Sequence, residues 1–179
     1  MAGQSLIPPF EVFPGQIVKL VFPPGNTPDM QLAEQRIRQE LNRTSRASAV
    51  QLAEPLGWWR DVFQPQTAAQ WLMTHAEMSR REAAEKLTRF QVNPDAILRE
   101  LAGNPRWMLG FAAAMHHSPD VLVFTTTGCD PWGIQFALQT VQSELQGAAV
   151  YLTCNTSLAI SEPNYAAVLE VQEAERKVA

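Results

Sequence analysis

The chain of 179 residues is poor in the residue types from which most catalytic and metal centres are built. It has two cysteines, Cys129 and Cys154, and no C-x-x-C pair, so neither a zinc site nor a disulfide framework is indicated. Its three histidines, His75, His116 and His117, do not form H-E-x-x-H. G-x-S-x-G and the glycine-rich dinucleotide fingerprint are also missing. No apolar run approaches the ~20 residues that span a bilayer, so direct membrane insertion is not expected. The net charge is −4 with no long basic run, which argues against nucleic acid as a partner. The opening "MAGQSLIPPFEVFPG" lacks the charged-then-apolar order of a secretory signal, and a cytoplasmic protein is expected. At 46% hydrophobic and 18% charged, the chain reads as a globular domain with a real core.

Apolar runs of strand length occur at "QIVKLVF", "DVLVFTTT", "AAVYLTC" and "AAVLEVQ". Helical stretches alternate with them, which implies an α/β fold with a mostly parallel sheet. The segment from about 56 to 103 reads differently. It has no convincing strand, and Ser79 with Glu82 forms a capping box that opens "SRREAAEKLTRF". It reads as a helical insertion within a single domain covering 1–179. Asn104-Pro105 and Asp130-Pro131 each place a capping side chain before a proline at the first helical position. The expected helices are "PRWMLGFAAAMHH" and "PWGIQFALQTVQSEL". His116 and His117 then end the first of these, where the helix dipole favours them. Cys129 and Cys154 fall near the ends of expected neighbouring strands and could approach each other, although buried thiols are the plainer reading. Thr125 to Thr127 either line a polar pocket at the end of the sheet or fill it as β-branched residues.

"PGQIVKLVFPPGN" followed by "PDMQLAEQRIRQEL" reads as strand, turn and helix, the setting of the phosphate loop G-x-x-x-x-G-K-[ST]. On that pattern Phe22 takes the first glycine slot, Thr27 the second, Pro28 the lysine slot and Asp29 the Ser/Thr slot. Gly25 falls on a variable position. Pro28 lacks the lysine charge and also an N–H donor. Asp29 adds a negative charge near the phosphate position. Two like charges ~4 Å apart repel by roughly 4 kcal/mol at an effective dielectric near 20. A plain helix start, with Pro28 at its first position and Asp29 favourable to the dipole, explains both residues equally well.

The segment "LAGNPRWMLGFAAAMHHSPDVLVFTTTGCDP" resembles the core of the ATP-binding subunits of ABC transporters. Their signature helix reads like L-S-G-G-Q-R, and Leu101, Gly103, Arg106, Ala112, Ala114, Pro119 and Asp120 fall on family-typical positions. "VLVF" supplies the apolar strand, and "GCDP" (Gly128 to Pro131) looks like the loop G-L-D-P. "VYLTCN" looks like the strand that ends in S-H-D, and "PGQIVKLVFPPG" like P-G-E-I-V-x-L-x-G-P-N-G. "MSRREAAEKLTRFQV" resembles the helical-subdomain stretch before the signature. The order of these matches covers nearly the whole chain. Two spacings are shorter than in the family: the step from the Walker B strand to "GCDP", and the stretch from Asp29 to Glu54, the expected glutamine-loop position.

The resemblance implies a P-loop NTPase fold of ABC ATP-binding-domain type, with its helical insertion. It also implies that the reaction is lost. Thr125 and Thr126 stand where the Walker B aspartate and the catalytic glutamate belong, and threonine can neither carry charge nor take up the water proton at neutral pH. Cys154 replaces the switch histidine. In the signature Ala102, Asn104 and Pro105 replace the hydroxyl, a glycine and the glutamine. Phosphoryl transfer rests on positioning and electrostatics from such groups. A pseudo-ATPase without cofactor or metal is therefore expected. By the resemblance it acts through a protein partner: a membrane permease, a competent ATPase or a second copy, peripheral to the membrane. A free-standing scaffold, or a binder of another small ligand at the former nucleotide cleft, are the alternatives. Trp58, Trp59, Phe63 and Trp71 crowd the neighbourhood that receives the membrane partner in such ATPases. Trp58, Trp59, Gly103 and Asp130 are the expected interface residues, tryptophan being enriched at hot spots.

Overall fold

The computed structural model describes residues 5–24, 27–55, 63–154 and 164–173. Its centre is a five-stranded, all-parallel sheet of β2 (Ile17–Val21), β3 (Ala47–Ala49), β4 (Val121–Thr125), β5 (Ala148–Thr153) and β6 (Ala167–Glu170). The spatial order is β3-β4-β5-β2-β6. Ile17 lies opposite Ala149, Val21 opposite Thr153, and Val123 opposite Val150. β1 (Ser5–Leu6) and β7 (Gln172–Glu173) form a separate antiparallel pair.

Side chains on a strand alternate between faces, and here both faces are covered. Val18, Leu20, Phe22, Val123, Val150 and Leu152 enter one cluster, together with Met30, Ala33 and Ile37 of α1 (Thr27–Leu41). Ile17, Leu122, Phe124, Ala149 and Tyr151 enter the other, against α2 (Ala68–His75), α3 (Arg80–Arg89), α4 (Gly103–Ala114) and α5 (Pro131–Glu144). Burial on both faces requires near-continuous apolar runs, which is why β2, β4 and β5 are visible in the sequence; β6, at the sheet edge, alternates between half-buried and exposed residues. β3 is not. Its three residues are Ala47, Ser48 and Ala49, and it pairs only with β4.

Within 63–103 the described residues form α2, α3 and a 3-10 turn at Leu98–Glu100. The Ser79 hydroxyl accepts from the Glu82 N–H at 3.3 Å, and the Glu82 carboxylate accepts from the Ser79 N–H at 2.9 Å. Thr67 and Gln70 form an equivalent box at the start of α2. Trp71, Leu72, Leu87 and Phe90 share the sheet's helix-side core.

Two helix ends differ from expectation. α4 begins at Gly103 with Ala102 as its cap, so Asn104 lies inside the helix. Pro105 falls in the first turn, where backbone N–H groups lack intrahelical partners and a missing donor costs little. α4 also ends at Ala114, leaving His116 and His117 in the turn beyond it. Burial lowers the His116 pKa first, with His117 and Lys86 adding to the effect, the opposite of a dipole-stabilised imidazolium.

Trp107 fastens α4 to the sheet. It is 2% exposed, stacks on Phe111 at 5.4 Å and meets the edge of Phe124 at 6.2 Å. Its indole N–H donates to the Thr125 carbonyl at 2.6 Å. Trp107→Ala is expected to cost ~3–5 kcal/mol in urea unfolding, and Trp107→Phe clearly less. Equal losses for the two variants would mean that the ring's volume contributes little.

Candidate functional site

The carboxyl ends of β2, β4 and β5 bring together the residues that the sequence singled out. At the end of β2, Phe22 takes the first glycine slot of the expected loop, yet it is 1% exposed and belongs to the α1-side core. Its N–H donates to the Thr153 carbonyl at 2.7 Å, so the chain here continues as sheet. Pro28 lies one residue inside α1, in its first turn. Gly25 lies outside the described residues.

At the end of β4, Thr125 gives its carbonyl to Trp107. Thr126 is buried, and its hydroxyl shares a hydrogen bond of 3.0 Å with the Tyr151 hydroxyl. The expected polar pocket at Thr126 is therefore filled by an internal bond. Tyr151 stacks between Phe124 at 4.9 Å and Tyr165 at 6.3 Å. Lys19, 4% exposed on β2, holds its ammonium 5.1 Å from the centre of the Tyr165 ring. Among the described residues no group of three or more His, Cys, Asp and Glu is placed to hold a metal.

The two cysteines do not meet. β4 and β5 are neighbours, but Cys129 packs against the helix-side core and Cys154 against the α1 side. Both are free. Cys154 approaches the Met30 sulfur at 3.9 Å. Burial, with Asp130 adding to it, pushes the Cys129 thiol up to about 12, which keeps it protonated and unreactive. Glu54 is exposed.

Gly103 and Asp130 are brought together. A Cβ on Gly103 would overlap the carbonyl oxygen of Gly128, so only glycine lets α4 approach the "GCDP" turn this closely. Asn104 completes the join, its side-chain oxygen accepting from the Asp130 N–H at 3.1 Å. The Asp130 carboxylate accepts from the Gly133 N–H at 2.7 Å and caps α5, with Pro131 at the first helical position as expected. That bond first, then the Asn104 side chain, holds the Asp130 carboxyl below the usual range. Gly133 is itself confined, since a Cβ there would overlap the Asn104 amide.

Trp58 and Trp59 lie outside the described residues. Phe63 is 74% exposed, whereas Trp71 is buried and stacks on His75 at 4.2 Å. Trp132, an exposed ring that the sequence reading passed over, is 81% exposed on the first turn of α5. Phe136, 37% exposed, lies one turn further along.

Comparison with solved structures places this arrangement. A metal-chelate type ABC transporter in an inward-facing conformation matches with a TM-score of 0.61 at 10% identity, over 79% of this chain and 64% of that one. The fold is that of an ABC-transporter ATP-binding subunit. An ATP-binding subunit of an ABC transporter matches at 0.54 and 14% identity, over 80% of this chain and 70% of that one. The cbiO1 protein from Clostridium perfringens, part of the ABC transporter complex cbiONQ, matches at 0.55 and 16%, over 82% and 70%. This chain thus spans less than two thirds of the first of these structures. No family model matches the sequence, and no curated protein does.

The join between α4 and α5 is testable by pairwise substitution. Gly133→Ala is expected to destabilise the chain by ~1–3 kcal/mol through overpacking against Asn104. Adding Asn104→Ala makes room for the new methyl group, so the double variant is expected to lose less than the two single losses added together. Strict additivity in chemical denaturation would show that the two side chains do not meet.

Proposed function

We propose that this chain is a non-hydrolytic subunit of ABC-ATPase type that acts through protein contacts, within a membrane-transport or assembly complex. Its partner is a membrane permease, a competent ATPase or a second copy of the chain. The reading that hydrolysis is lost draws on the residue types at Pro28, Asp29, Thr125, Thr126 and Cys154. It is supported by the Thr126 hydroxyl, which is buried and shares a hydrogen bond with the Tyr151 hydroxyl.

The observation that carries the protein-contact reading is Trp132. It is a large ring left in solvent beside the Asp130 turn, with Phe136 behind it on the same helix face. From Pro131 to Ser143 the helix carries no charged residue. Interface cores are depleted in charge and enriched in aromatic rings, with tryptophan prominent among hot spots.

For the nucleotide, no hydrolysis is expected, and MgATP binding is expected to be no tighter than the millimolar range, about −4 kcal/mol. Micromolar binding in calorimetry would overturn the reading. Pro28→Lys alone is not expected to restore turnover, because the metal ligand and the base would still be missing.

For the partner, Trp132→Ala is expected to weaken association while leaving the melting temperature of the isolated chain nearly unchanged. Sedimentation of the chain alone and co-purification with a co-expressed permease or ATPase give the first readout, and thermal melting gives the second. A variant that associates as the parent does, with any partner, removes Trp132 from the interface.

A further inference from the structure

At the end of the sheet opposite Thr126, the N-terminal segment runs beside the C-terminal half of α1 and is tied down at two places. Ser5 and Leu6 pair with Glu173 and Gln172 of β7. Further along, the Gly15 N–H donates to the Gly147 carbonyl at 2.8 Å, and the Gln16 N–H donates to the Phe13 carbonyl at 3.0 Å. Between these ties, residues 7–14 and α1 bound a cavity of about 760 Å³, which Val121 and Ala148 also line at the amino ends of β4 and β5. That volume suits a small-molecule site.

The lining is mostly apolar, and much of it is still accessible. Ile7, Phe10, Val12 and Leu41 are half-buried, and Phe13 is 55% exposed. Each keeps apolar surface that a ligand can remove from water, whereas Ile37, Val121 and Ala148 are already buried and add little. The charges around the cavity balance. Glu40 accepts from the Arg43 guanidinium at 2.9 Å. Asp120 accepts from the Arg46 backbone N–H at 2.8 Å and from its guanidinium at 3.4 Å. Glu11 and Arg36, both exposed, add one charge of each sign. Main-chain pairing with a peptide is poorly served, because Pro8, Pro9 and Pro14 have no N–H to donate.

We propose that this cavity binds an uncharged, largely apolar small molecule against Phe10, Val12, Phe13 and Leu41. Removal of apolar surface from water on both sides supplies the affinity. The balanced charges offer no counter-ion for an ionised ligand, which would lose hydration without compensation. The cavity lies at the end of the sheet remote from Thr126 and Trp132, so it stands or falls independently of the protein-contact reading.

The test titrates the full chain with phenylnaphthylamine, an uncharged dye whose emission rises in apolar surroundings. Saturable binding is expected, with shifts of the Ile7, Val12 and Leu41 methyl resonances in NMR of the same mixture. Anilinonaphthalene sulfonate has the same rings plus one negative charge, and is expected to bind at least about tenfold more weakly. Phe13→Asp is expected to weaken the uncharged dye at least about tenfold. Its melting temperature is expected to stay near the parent's, because the ring is more than half exposed. Absence of saturable binding overturns the site. So does binding that leaves the three methyl groups unmoved or that is unaffected by Phe13→Asp. A signal lost in Trp132→Ala places the dye on the exposed ring of α5 and overturns the site as well. The sulfonate binding as tightly as the uncharged dye overturns the ligand class. If Phe13→Asp fails to fold, the methyl shifts of the parent chain still decide.

Discussion

Everything else in this molecule depends on the burial of β2, β4 and β5 on both faces. α1 closes one side, and α2 to α5 close the other. A strand so enclosed has no solvent face on which to carry polar residues, so each position must be apolar, small or internally satisfied. The polar exceptions are few among the described residues and fall together. Lys19, Thr126 and Thr153 are buried at β2 and at the carboxyl ends of β4 and β5.

By the sequence resemblance, that end of the sheet is where the phosphate loop and the Walker B positions would lie. Here the rings of Phe124, Tyr151 and Tyr165 stack in sequence across the sheet face, with Lys19 over the last. A carboxylate in place of Thr126 would meet the Tyr151 hydroxyl in a site closed to water, and ionisation there is costly without a metal or cationic partner. In the proposed reading, the change of residue type at Thr126 and the aromatic filling beneath it are therefore one change. Restoring a single charged group would disturb the packing before it restored chemistry.

How much was legible in the sequence follows from the same constraint. β2, β4 and β5 announce themselves as apolar runs, β6 at the sheet edge is a weaker one, and the parallel sheet with its helices followed from their alternation. The Ser79–Glu82 capping box and the Asp130-Pro131 start of α5 were legible because their signals are local. β3 was not, since Ala47 to Ala49 form a strand only because β4 offers an edge. Asn104 was misplaced for a related reason. A helix end is chosen by tertiary fit as well as by capping preference, and α4 starts earlier because Gly103 can lie against Gly128. The separation of Cys129 from Cys154 was hidden because chain position near a strand end does not say which face a side chain takes.

The same geometry decides which residues can be cited for a partner surface. The identity of Gly103 is explained by the Gly128 carbonyl that occupies the space of its missing side chain. Asp130 is explained by the Gly133 N–H that it caps, and Asn104 by the Asp130 N–H that it receives. Each of these has an internal reason to be what it is, so none of them requires a partner. Trp132 has no such reason in its exposure. Four fifths of its ring surface meets solvent on a helix whose other faces are packed. The join built by Gly103, Asn104 and Asp130 fixes the first turn of α5, and so fixes where that ring stands. In the proposed reading, Gly103 and Asp130, to which the sequence pointed, form with Asn104 the rigid mount, and Trp132 is what the mount presents.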